Sequence, residues 1–84
     1  MIASILRIPQ SATPAGDEHF ARFIKNTKGI VHAYQLEAEK ELVMVTIWES
    51  ENARDVYMKS ALKQEVDASY PGQTRSLYKV RGSK

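Results

Sequence analysis

Two periods of hydrophobicity alternate along the chain, and each stretch shows its element by the period it follows. Over residues 1–8, Ile2, Ser4, Leu6 and Ile8 fall on one side and Ala3, Ile5 and Arg7 on the other, which predicts a strand. Pro9 cannot donate to a ladder and ends it, and residues 11–16 read as loop. Thr13-Pro14 is a helix start, a hydroxyl cap ahead of a proline at the first helical position. Asp17 and Glu18 suit the positive end of that helix's dipole. Phe20, Phe23, Ile24 and Thr27 share one helical face, and Lys28-Gly29 closes the helix.

Residues 30–36 and 42–48 both read as strands, joined as a hairpin by the charged tip Glu37 to Glu41. The second of them, Leu-Val-Met-Val-Thr-Ile-Trp, is almost wholly apolar. Leu42, Met44, Thr46 and Trp48 form one face, and Val43, Val45 and Ile47 form the other. A strand apolar on both faces must be covered on both. Ser50 can cap a helix from Glu51, with Ala53, Val56, Tyr57 and Ser60 on one face. Met58, Leu62, Val66 and Tyr70 gather on another side, which places a break near Ser60 and Ala61. Pro71-Gly72 ends the helical part, residues 74–81 form the last strand, and residues 82–84 are a loose tail.

The order strand, helix, strand, strand, helix, strand predicts an α+β ferredoxin-like fold, a single domain over residues 1–84 with a four-stranded antiparallel sheet. Both helical segments pack on one face of such a sheet and leave the other face open. A row of large apolar groups then faces water, forfeiting roughly 1.5–3 kcal/mol per side chain, comparable to the whole margin of a small domain. Packing the open face of one copy on that of another removes this cost, so the pattern predicts a homodimer through that face.

Composition narrows the chemistry. With no cysteine in 84 residues, disulfides, thiolate metal sites and thiol nucleophiles are excluded together. Twelve basic and ten acidic residues leave a net charge of +2, too small and dispersed for a nucleic-acid stripe. Arg75, Lys79, Arg81 and Lys84 read as a solvated edge strand and tail. No segment approaches the ~20 apolar residues of a membrane span, and no leader precedes the first strand, so the expected location is cytoplasmic. His19 and His32 are far apart and form no His-x-x-x-His pair, so no metal site is expected.

The segment Trp48-Glu49-Ser50-Glu51-Asn52-Ala53 carries more specific information. A Trp ending the third strand, followed by an acidic, Ser-containing helix start, resembles the antibiotic-biosynthesis-monooxygenase-like family of dimeric α/β barrels. Gly29 at the opening of the second strand and Ser60, twelve residues after Trp48, fit the same layout. The resemblance implies cofactor-independent oxidation of phenols, anthrones or quinols by dioxygen, in a homodimer with no metal or organic cofactor. Two departures stand out. Many members have a His nine residues after the Trp, where this chain has Tyr57. Haem-degrading members resemble one another in an Asn on the first strand and a His on the second helix, and this chain has neither.

The candidate site follows. Trp48, Thr46 and Met44 share a strand face that, with Tyr57 on the inner stripe of the second helix and Ser60 at its end, would line a pocket for a small aromatic ligand. Trp48 would stack, and Tyr57 would hydrogen-bond the substrate oxygen. His32 and Tyr34 share a face of the second strand with Ile30 and Leu36, and His32 is the candidate base. His19, at the flank of the first helix beside Glu18, reads as surface. Two functions compete: a monooxygenase or quinol oxygenase, and a non-catalytic dimeric module that binds a small ligand or a protein.

Overall fold

The computed structural model describes residues 1–9 and 14–84, and at Pro14 the backbone alone. The expected Thr13 cap and the loop residues 11–13 lie outside the described residues. Strand β1 spans Ile2–Ile8, helix α1 Pro14–Asn26, β2 Ile30–Ala38, β3 Glu41–Trp48, α2 Glu51–Met58, α3 Ala61–Ser69 and β4 Thr74–Lys79. The sheet order is β2-β3-β1-β4 with every neighbouring pair antiparallel, the ferredoxin-like arrangement. Among the described residues, no helix is long and apolar enough to cross a membrane.

Strand β3 alternates along its whole length between buried and half-buried residues. Leu42, Met44, Thr46 and Trp48 are buried beneath the helices, and Val43, Val45 and Ile47 lie on the opposite face. The helix-side choice is decided by what pairs with it. Ile2, Leu6 and Ile8 of β1 stand opposite Trp48, Met44 and Leu42 and are buried with them. Two clusters result. Leu6, Ile8, Leu42 and Met44 pack with Val66 and Tyr70 of the α3 end, and Ile2 and Trp48 pack with Phe23 and Tyr57.

The second helical segment breaks where the pattern requires. Ser50 caps α2, its Oγ accepting from the Ala53 N–H at 3.2 Å, and Ser60 caps α3 in the same way from Lys63 at 3.2 Å. The break lets Tyr57 point inward from α2 and Val66 and Tyr70 from the α3 side. Single residues depart from the expected faces. Ile24 is 48% exposed and Val56 66% exposed, because Phe20 and Phe23 make the α1 seam and Tyr57 that of the two-turn α2. The hairpin tip is shorter than expected, with β2 running to Ala38 and β3 starting at Glu41. The last strand stops at Lys79, with one further backbone bond from Val80 N–H to the Met1 carbonyl at 3.2 Å.

A register irregularity between Ile30 and His32 changes the faces of β2. Ile30 stands opposite Trp48 and joins its cluster on the helix side, whereas His32, Tyr34 and Leu36 stand opposite Ile47, Val45 and Val43 on the open face. The expected grouping of Ile30 with His32 is therefore corrected: a bulge adds one residue to one strand and reverses side-chain direction beyond it. The open face is aliphatic at its centre, with His32 and Tyr34 on one flank and Tyr78, opposite Ala3, on the other.

Gly29 ends the turn between α1 and β2 with φ +86°, and its carbonyl accepts from the Glu49 N–H at 2.9 Å. A Cβ here would overlap the Ala53 methyl as well as strain the backbone. Gly29→Ala should therefore lower unfolding stability by about 1–3 kcal/mol in urea titrations, while Gly82→Ala, with nothing within 4 Å, should leave it unchanged. Equal stability of the two variants would show that the turn relaxes freely.

Candidate functional site

The strand faces and helix seams converge on a cavity between the sheet and the helices. Its floor is Ser4 and Leu6 of β1 with Met44, Thr46 and Trp48 of β3, and its roof is Phe23 of α1, Tyr57 of α2 and Val66 of α3. His19 from α1 and Arg75 from β4 complete the wall. The aromatic rings hold one another at fixed angles. Phe23 meets Tyr57 edge-on at 4.9 Å and Trp48 edge-on at 5.8 Å, while Trp48 and Tyr57 lie 5.6 Å apart with a 32° tilt. The Trp48 indole N–H donates to Ser4 Oγ at 3.0 Å, which fixes the indole at the end of β3 and leaves the Ser4 hydroxyl its own proton to donate.

The water-accessible interior is about 30 Å³, room for one or two waters. Beside it runs a groove of about 410 Å³ lined by Lys28, Gly29, Asn52, Val56 and Ser60. Tyr57 borders both spaces.

The polar residues of the wall are tied into networks. Nδ1 of His19 lies 2.8 Å from the Tyr70 hydroxyl, and its Nε2 lies 4.0 Å from Glu65, which Arg22 also pairs at 2.8 Å. Arg75 Nη2 donates to Asp67 Oδ1 at 3.0 Å, and Lys63 pairs with the other oxygen of the same carboxylate. Burial pushes the Tyr57 hydroxyl above its ordinary pKa, and the neighbouring Arg75 guanidinium offsets only part of that. Tyr57 is therefore a neutral O–H donor near pH 7. Burial alone would raise the Asp67 carboxyl, but hydrogen bonds and charge from Lys63 and Arg75 outweigh it and hold the carboxyl below its ordinary value.

The structure thus brings Tyr57, Trp48, Thr46 and Met44 to one cavity and sets Ser60 in the adjoining groove. It does not bring His32 or Tyr34 there. Their rings stack 6.3 Å apart on the opposite face of the sheet. The imidazole at the cavity belongs to His19, whose side chain is 12% exposed, which corrects its reading as surface. Its position was discoverable, since His19 stands four residues before Phe23 and so shares that face of α1. Arg75, read as solvated, has a side chain 21% exposed and turned under α3. Only the register that places it opposite Leu6 reveals this. Among the described residues, no three His, Asp or Glu side chains gather in a metal-holding group.

No family model and no curated protein sequence matches the chain. Solved structures do. SnoaB, a cofactor-independent oxygenase from Streptomyces nogalater, superposes with a TM-score of 0.75 at 17% identity, over 98% of this chain and 94% of that one. NE2512 from Nitrosomonas europaea, of unknown function, gives 0.74 at 12% identity over 99% and 91%. ActVA-Orf6, a Streptomyces coelicolor monooxygenase in complex with nanaomycin D, gives 0.65 at 19% identity over 99% and 89%. The chain has the fold of the antibiotic-biosynthesis-monooxygenase-like proteins.

The Asp67 pairs carry a pH signature. A carboxyl held down in the folded state stabilises the fold in full above the ordinary carboxylate range, about pH 4, and loses that contribution as pH falls through its folded value. Asp67→Asn should thus lower stability at pH 7 and flatten its decline below about pH 4, read from urea midpoints across pH. Parallel curves for wild type and variant would contradict this linkage.

Proposed function

We propose that this protein is a small oxygenase that oxidises a phenol or quinol directly with dioxygen and works as a homodimer. One observation carries the reading. A stacking indole, a neutral Tyr hydroxyl and an imidazole meet at one cavity, on the fold shared with SnoaB and ActVA-Orf6. The ring stacks on Trp48 with Met44 and Thr46 beneath it, and Tyr57 donates to the substrate oxygen. His19 takes the proton whose loss makes the ring electron-rich enough to react with dioxygen, the part first assigned to His32. At a ring carbon bearing hydrogen, one oxygen atom takes that hydrogen's place. The C–H hydrogen and one O–H hydrogen leave with the other oxygen atom as water, so a phenol becomes a quinone and a quinol a hydroxyquinone.

The interior as it stands has room for water only, so entry of even a single ring requires Tyr57 to swing toward the groove it already borders, and a polycycle needs a wider opening still. The same tightness supports a second reading, a non-catalytic dimeric module that binds a small ligand or a protein elsewhere on its surface, with the cluster mainly packed core. Oxygen uptake with a panel of single-ring phenols and quinols separates them. Turnover should fall about 10²-fold or more in His19→Gln and at least about tenfold in Tyr57→Phe, with melting temperatures retained. No uptake by the wild type with any of the panel would move the assignment to the binding module.

The dimer rests on the open sheet face, where Ile5, Val43, Val45 and Ile47 make an aliphatic centre beside the exposed Tyr34 and Leu36. Covering such a face is worth roughly 1.5–3 kcal/mol per large side chain. Sedimentation should give a dimer for the wild type and a monomer for Val45→Glu, which sets a charge at that centre. A monomeric wild type would remove the dimer from the account.

A further inference from the structure

The polar groups on the cavity wall are unbalanced in a way that speaks to the ligand's charge. Arg75 stands opposite Leu6 on the helix side of β4, and its guanidinium reaches under α3 to Asp67. That carboxylate is shared with Lys63, so the three side chains carry one positive charge more than negative. Arg75 borders the cavity, whereas neither Asp67 nor Lys63 does. A guanidinium has donors and no acceptor. Toward the Tyr57 hydroxyl beside it, it can only donate, which turns the Tyr57 proton outward. Ser4 accepts the Trp48 indole N–H and is left with a proton to give. Among the described residues, the floor and roof are otherwise apolar apart from Thr46, so nothing on them answers the surplus charge.

We infer that the cavity selects aromatic ligands carrying an ionised oxygen, a carboxylate in the first instance, received by the Arg75 guanidinium. The inference rests on the ligand site proposed above and adds the charge of what enters it. A carboxylate matches the planar donor fork of Arg and brings acceptors without donors. His19, on the α1 side of the cavity, remains oriented by Tyr70 and Glu65.

Two planar single-ring probes of nearly equal size, benzoate and benzamide, separate charge from shape. Titrated at pH 7 against the fluorescence of Trp48, the one Trp in the chain, benzoate should bind at least about tenfold more tightly than benzamide. Arg75→Gln should abolish that preference by weakening benzoate alone, and Arg75→Lys should retain part of it. Thermal melts establish that the variants are folded, and the wild-type comparison needs no variant. Equal affinity for both probes, or a preference that survives Arg75→Gln, would overturn the anionic ligand while leaving the pocket standing. Absence of binding by either probe would overturn both.

Discussion

The structure depends on one strand that has no polar face. Because β3 is apolar on both sides, burial favours a cover on each, and it runs through the middle of the sheet between β2 and β1. The helices supply one cover. They bury Leu42, Met44 and Trp48, and they meet β3 at both ends, Val66 and Tyr70 near Leu42 and Met44, Phe23 and Tyr57 near Trp48. The other cover is what the proposed dimer provides. The cavity is the place where the two helix-side clusters adjoin, with Met44, Thr46 and Trp48 along its floor.

The same constraint accounts for the chemistry available. A floor and roof built to bury β3 are apolar, so the polar side chains that reach the cavity stand out and must be held by partners behind it. Trp48 is held by Ser4, Arg75 by Asp67, and His19 by Tyr70 and Glu65. Each partner fixes the orientation of a group that could touch a ligand. Burial keeps Tyr57 neutral for the same reason: the apolar surroundings disfavour a phenolate more than Arg75 favours it.

How much of this was legible in the sequence follows from which interactions are local. Alternation within β3, the hydroxyl cap at Ser50 and the switch of apolar face after Tyr57 are properties of neighbouring residues, and they gave the element order and the broken second helix. The helix side of β3 was not local, since Val43-Val45-Ile47 and Leu42-Met44-Trp48 are equally apolar and only the pairing with Ile2, Leu6 and Ile8 separates them. The irregularity between Ile30 and His32 has no Gly or Pro to announce it, so His32 was set on the wrong side of Ile30. Arg75 was read by its charge, while its place comes from long-range register and an ion pair eight residues back in the chain. Strand periodicity alone put Trp48, Thr46 and Met44 on one face, while their place beside Tyr57 under the helices followed from the resemblance, which sets Trp48 on that side.

The central claim is that the space beside Trp48 opens to admit an aromatic ring. The chain has a single indole, so its N–H resonance in a proton–nitrogen correlation spectrum reports on that place alone. Titration with a single-ring hydroquinone should shift this resonance saturably, at one ligand per chain, because a ring stacked on Trp48 alters both its shielding and its bond to Ser4. An indole resonance that stays fixed while the ligand is raised into the millimolar range would mean that Trp48 is closed core, and the account of the site would fail.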